Sequence, residues 1–227
     1  MYWILFIGIA LISYLVQARL QSKFKKYSRI PLGNGMTGRD VAQKMLQDNG
    51  IYDVTVTHTN GHLTDHYNPA TKTVNLSDSV YSSCSVIAAA VAAHECGHAL
   101  QHARAYAPLT LRSALVPVVS FASQWVTWVI LGGILLMRTP FGANLMLGGI
   151  ILFACTTIFS FITLPVEINA SRRALQWLNT AGITDRSNHA QAEDGLRAAA
   201  YTYVVAALSS LATLIYYIMI YIMGRRN

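Results

Sequence analysis

Four stretches of this chain hold no Asp, Glu, Lys or Arg and approach or exceed the ~20 helical residues that cross a bilayer core. They are residues 1–17 (MYWILFIGIALISYLVQ), 115–137 (LVPVVSFASQWVTWVILGGILLM), 142–164 (GANLMLGGIILFACTTIFSFITL) and 203–223 (YVVAALSSLATLIYYIMIYIM). Backbone N–H and C=O groups must be satisfied internally in lipid, so each stretch is expected to be a helix. The fold class that follows is mainly α: a multi-pass membrane protein with about four transmembrane helices. Only 12% of residues are charged, about half the ~25% usual in soluble domains.

The windows divide the chain into a first transmembrane helix (1–17), a polar part (18–114), a transmembrane hairpin of helices two and three (115–164), a second polar part (165–200), and a fourth helix with its tail (201–227). Residues 16–18, VQA, suit a signal-peptide cleavage site, but basic residues follow the apolar run and none precedes it. An uncleaved helix is the expectation.

Lys and Arg set the orientation. With four spans the two polar parts share one side, and they carry fourteen of the seventeen Lys and Arg residues. That side is expected to be the cytoplasm, in a bacterial inner or plasma membrane. The basic tail Arg225–Arg226 then falls outside, against the trend. The formal net charge of +7 fits this topology and anionic lipid near SKFKKYSR (22–29). No nucleic-acid motif is visible, so the bilayer is the expected partner and nucleic acid is not. Cys84, Cys96 and Cys155 form no CxxC pair and read as free thiols.

In the first polar part, residues 36–50 predict a short helix capped by Thr37 and ended by Asn49-Gly50. VTVTHTNGHLTDHY alternates, with Asn60-Gly61 as a hairpin turn, NPATK (68–72) as a second turn and TVNLS as a third strand. A small antiparallel β-hairpin or sheet is therefore expected before a helix over 79–106, capped by Asp78 or Ser79. His58, His62 and His66 also recur every four residues, but the hairpin separates them and they read as exposed strand and loop histidines.

The helix over 79–106 carries the chemistry. Residues 94–98, HECGH, are H-E-x-x-H. Four residues make just over one helical turn, so both imidazoles face one side and can bind one Zn²⁺. Glu95 is placed to act as base toward a metal-bound water. Cys96 points away. His102, eight residues from His94, is about 12 Å along the helix and too far to share the ion.

The third ligand must come from elsewhere. Glu167, in LPVEINASRRAL, follows the third window directly, and Ala170, Ala174 and Leu178 continue a helical face beside it. Span three returns the chain to the face from which the HECGH helix led into span two. Glu167 is therefore the expected ligand, with His189 and Glu193 as alternatives.

The segments LTDHYNPATKTVNLS, VAAHECGHALQHA and LPVEINASRRALQWL resemble, in this order and over essentially the whole chain, the YugP-type neutral zinc metallopeptidases of bacteria. A more distant likeness is to the membrane peptidases HtpX and the CAAX prenyl protease, where the third-ligand Glu is followed by xxAD. Here Ser171 stands in place of that Asp. The resemblance implies a zinc-dependent, gluzincin-like HExxH…E metalloendopeptidase, with one Zn²⁺ per chain on His94, His98 and Glu167 and with Glu95 as catalytic base. It supplies no substrate.

A protein or peptide substrate, suited to be membrane-anchored or fed from the cytoplasm, would be cut at the cytoplasmic membrane face. Tyr203, Tyr201 and His189 are candidate oxyanion donors, each weak against a membrane-anchoring role for the tyrosines. Asn169 and Ser171 are placed to orient a ligand. Thr71, Lys72, Thr73, Val74 and Asn75 are the natural substrate strand by edge addition. The rival reading is a non-proteolytic zinc-binding membrane scaffold. That would need a fourth protein ligand, and three can be named. A transporter predicts ionisable residues within the spans, which hold none.

Overall fold

The computed structural model describes residues 2–224. Its elements are α1 (Tyr2–Tyr27), α2 (Gly38–Asp48), β1 (Thr55–Thr59), β2 (His66–Asn68), β3 (Thr73–Ser77), α3 (Asp78–Tyr81), α4 (Val86–Ala103), α5 (Ala107–Leu135), α6 (Pro140–Thr180) and α7 (His189–Gly224). Four of these, α1, α5, α6 and α7, are long and apolar enough to cross a membrane. The basic tail residues Arg225 and Arg226 lie outside the described residues. Two compact units form. One joins the chain up to Leu109 with Val166–Thr202; the other joins Thr110–Pro165 with the chain from Tyr203 on.

The first unit is built around α4. Its sequence, VIAAAVAAHECGHALQHA, is alanine-rich, and Ala88, Ala89, Ala90, Ala92 and Ala93 are fully buried. Small side chains let neighbouring backbones come close while still removing apolar surface from water. Val41 and Met45 of α2, Val74 and Leu76 of β3, and Ala174 and Leu178 of α6 join the same core. α2 starts at the expected residue: Thr37 and Asp40 form a capping box, each side chain bonding the other's backbone N–H. The C-terminal end of α1 enters this unit as well, where Lys23 and Tyr27 both bond the Asp194 carboxylate of α7.

The sheet corrects the expected hairpin. Its strand order is β1-β3-β2, with β1 parallel to β3 and β2 antiparallel to it. Asn60-Gly61 therefore does not join paired neighbours. The physical reason is burial. β3 sends Val74 and Leu76 fully into the core, whereas β1 and β2 are partly exposed, so β3 takes the centre. The chain after Gly61 is polar, and Asp65 accepts from the Ser77 backbone N–H (2.7 Å) and hydroxyl (3.0 Å) at the end of β3. The turn after NP is a true hairpin: Asn68 Oδ1 accepts from Ala70 N at 2.9 Å, and β2 runs back as β3.

The helix expected over 79–106 is also divided. α3 ends at Tyr81, Ser82 turns the chain, and Leu32 N then donates to Cys84 O (2.7 Å) and Val86 N to Ile30 O (2.9 Å). Ser85, rather than Asp78 or Ser79, caps α4, its side chain accepting from Ala88 N at 3.3 Å. Serine competes for backbone partners and favours such helix starts.

In the second unit, Gly133 and Gly149 allow α5 and α6 to touch. A Cβ at Gly133 would lie 2.7 Å from Met146 Cα, and one at Gly149 would lie 2.6 Å from Ile130 Cγ1. Thr157 and Ser210 share a hydrogen bond of 2.7 Å between α6 and α7. Trp128, Leu135, Phe141 and Ile151 are exposed, as helix faces against lipid require. α6 is one unbroken helix of 41 residues that runs through Pro165.

Candidate metal centre

His94 and His98 lie one turn apart on α4, with ring centroids 4.8 Å apart and planes at 84°. α6 brings Glu167 to them. Its Oε2 stands 3.3 Å from His94 Nε2 and 3.5 Å from His98 Nε2. The approach depends on Gly97, the second x of H-E-x-x-H. A Cβ there would lie 2.7 Å from Ala170 O, so only glycine lets the α6 backbone lie this close. Ala170 and Ala174, both fully buried, extend the contact as their spacing predicts.

The donor set fits a zinc ion. Two imidazole nitrogens and one carboxylate oxygen lie within 4.8 Å of one another. Ligands ~2.0–2.1 Å from a tetrahedral ion stand about 3.3–3.4 Å apart, close to the two distances to Glu167. Glu167 Oε2 is buried and has no hydrogen-bond partner among the described residues, an orphan that a cation would satisfy. The other ring nitrogens are already engaged. Ser171 Oγ is 3.1 Å from His94 Nδ1, and Gln101 Oε1 is 3.1 Å from His98 Nδ1. Both Nε2 atoms are thereby left to face Glu167. Burial works to lower the His98 pKa, but contact with the Glu167 carboxylate and the charge of Glu95 outweigh it and hold it above the usual imidazole value.

Glu95 is outside this ligand cluster, on the residue after His94, and is 8% exposed. Cys96 is buried on another side of α4, its thiol 3.5 Å from Ala42 O. Burial first, and the Glu95 charge second, push that thiol well above its usual pKa.

The remaining sequence candidates divide. Ser171 touches His94, whereas Asn169 accepts from Gln101 Nε2 at 3.0 Å. His189 bonds Thr184 (2.8 Å) and Glu193 pairs with Arg197, so neither belongs to the cluster of His94, His98 and Glu167. Both line a groove of about 630 Å³ between α6 and α7. Tyr201 belongs to the first unit and Tyr203 to the second, both exposed. His102 Nδ1 lies 3.1 Å from Tyr67 OH. His58 contacts Asp78, and His62 lies 3.4 Å from Ser79 Oγ.

The proposed substrate strand is a correction. Thr73, Val74 and Asn75 pair with β1 on one side and β2 on the other, and Thr71 and Lys72 lie in the preceding turn. A central strand has no free backbone edge to lend. Gln101 and Gly97 escaped the sequence reading. The spacing of three from His98 to Gln101, which puts both on one helix face, was the available signal.

Residues 2–222 match the model of a family described as "Putative neutral zinc metallopeptidase". The chain is also 44% identical over 214 residues to the "Putative membrane protease YugP" of Bacillus subtilis (strain 168), covering 94% of this chain and 93% of that protein. No solved structure matches.

Proposed function

The chain belongs to this family of neutral zinc metallopeptidases, and from that premise we propose that it hydrolyses peptide bonds at a zinc site formed by His94, His98 and Glu167. The observation that carries the reading is the orphaned Glu167 Oε2 facing two imidazoles whose other nitrogens are engaged. Three protein ligands leave a coordination position open, as catalytic sites do and structural sites do not.

Zinc held there would supply a Lewis acid that polarises the scissile carbonyl and draws the pKa of its water toward ~7. Glu95 takes a proton from the attacking water at its carboxylate and returns it to the departing amine nitrogen. Ser171 and Gln101 hold the two imidazoles in orientation while this happens. The substrate backbone lies along β2, an outer strand of the sheet, which meets α4 through the Tyr67–His102 hydrogen bond.

The substrate is a protein or peptide held at or near the membrane. In support, Glu167 follows the apolar window 142–164 by only three residues of sequence. The Lys and Arg distribution favours the cytoplasmic face. The test is hydrolysis of an unstructured protein by the zinc-loaded chain in detergent or liposomes. Wild type cleaves, and Glu95→Gln retains zinc but loses cleavage by at least a hundredfold. A variant that cleaves like wild type refutes the mechanism, and a wild type that holds zinc but cleaves nothing favours the scaffold reading.

A further inference from the structure

Gln101 belongs to no part of the H-E-x-x-H motif, yet its side chain is fully buried beside the cluster. Its amide makes three contacts. Nε2 lies 2.8 Å from Val166 O and 3.0 Å from Asn169 Oδ1, and Oε1 lies 3.1 Å from His98 Nδ1. Val166 precedes Glu167, so one side chain on α4 touches both the His98 imidazole and the turn of α6 that bears the carboxylate.

The polarity of these bonds is forced. Arg173 can only donate, and its Nε lies 2.8 Å from Asn169 Oδ1. Asn169 therefore presents an acceptor, and the Val166 carbonyl is an acceptor in any case. Both Nε2 hydrogens of Gln101 are spent on these two oxygens. The amide cannot be turned over without setting its oxygen against two others. Oε1 must then accept, and His98 must donate from Nδ1. That tautomer leaves the Nε2 lone pair directed toward Glu167.

We propose that Gln101 is a positioning residue that locks His98 in the Nδ1–H tautomer and ties it to the α6 turn carrying Glu167. The inference rests on the zinc reading above. It assigns a role to Arg173 as well, which anchors the direction of the chain from outside the ligand cluster through Asn169. Arg173 is itself held over the Tyr106 ring, 6.0 Å from its centroid. Two separate acceptors, one of them a backbone carbonyl, therefore enforce one tautomer, so the setting survives loss of either.

The experiment is zinc affinity, measured by chelator competition on the full-length protein in detergent, for wild type and Gln101→Leu, with the ring-nitrogen ¹⁵N NMR shifts of His98 read on the zinc-free proteins. Leucine keeps the bulk and removes every hydrogen bond. The expected result is a dissociation constant raised about 10–100-fold for Gln101→Leu, with helical content unchanged, and a neutral His98 ring that carries its proton on Nδ1 in wild type but no longer does so exclusively in Gln101→Leu. A Gln101→Leu protein within twofold of wild type overturns the proposal. So does a His98 tautomer that is the same in both proteins, because filling space would then be the residue's whole role. Where the leucine variant fails to fold, Gln101→Met takes its place under the same criteria. A wild-type protein that binds no zinc overturns the zinc reading and this inference with it; wild-type binding indifferent to position 101 overturns the inference alone.

Discussion

Gly97 and Ala170 meet backbone to backbone: a Cβ on Gly97 would lie 2.7 Å from Ala170 O and 3.1 Å from Ala170 Cα. One missing methyl thus sets how closely α6 approaches the histidine pair. Gly97→Ala should displace α6 rather than a flexible side chain. The expected cost is about 1–3 kcal/mol of stability, with a loss of zinc affinity of at least tenfold. Thermal unfolding and chelator titration of the same preparation measure both. Normal affinity in this variant would show that the contact does not hold Glu167 in place.

Zinc content tests Glu167 most directly. Elemental analysis should find near one zinc per chain in wild type and near none in Glu167→Ala. Zinc retained in the variant would require another third ligand. His189 and Glu193, engaged with Thr184 and Arg197, would have to move to provide one.

Cys96 should be chemically silent despite its place inside the motif. It is fully buried with a raised pKa, and the reactive species is the thiolate. Native protein treated with iodoacetamide near pH 8 should leave Cys96 unmodified by mass spectrometry while the partly exposed Cys84 reacts. Denaturation should abolish the difference. Rapid native labelling of Cys96 would contradict its burial against α2.

The capping box predicts an acid dependence. Hydrogen bonds from the Thr37 side chain and backbone, aided by Arg39, hold the Asp40 carboxyl below its usual range. A carboxylate with a depressed folded-state pKa stabilises above its unfolded value of ~3.9 and loses that contribution as pH falls through the folded value. Asp40→Ala should therefore cost about 0.3–1 kcal/mol near neutrality. The gap from wild type should close in acid below the folded pKa. Circular dichroism melts at the two pH values measure it; a gap that is constant with pH would mean that the carboxylate charge contributes nothing.

Much of this was legible in the sequence because its signals are local. Uncharged length marks the membrane helices, Thr37 and Asp40 mark the start of α2, and a spacing of four sets His94 and His98 on one face. Glu167 could be named because few glutamates exist and the hairpin topology returns one of them. The sheet was not legible in the same way. Asn60-Gly61 has the composition of a tight hairpin, but the competition for the buried centre, won by Val74 and Leu76, is decided by tertiary packing. The break at Ser82–Ser85 likewise depends on residues 30–32 arriving to pair with it. Gln101 was hidden because its partners, Val166 and Asn169, are remote in sequence.

The helix that carries Glu167 also imposes an order on biosynthesis. The ribosome delivers both histidines, then all of α5 and the apolar length of α6, before the carboxylate emerges. A nascent chain that stalls before that point has the motif but not the ligand set. On the three-ligand reading, hydrolytic competence then waits on translation of the membrane hairpin.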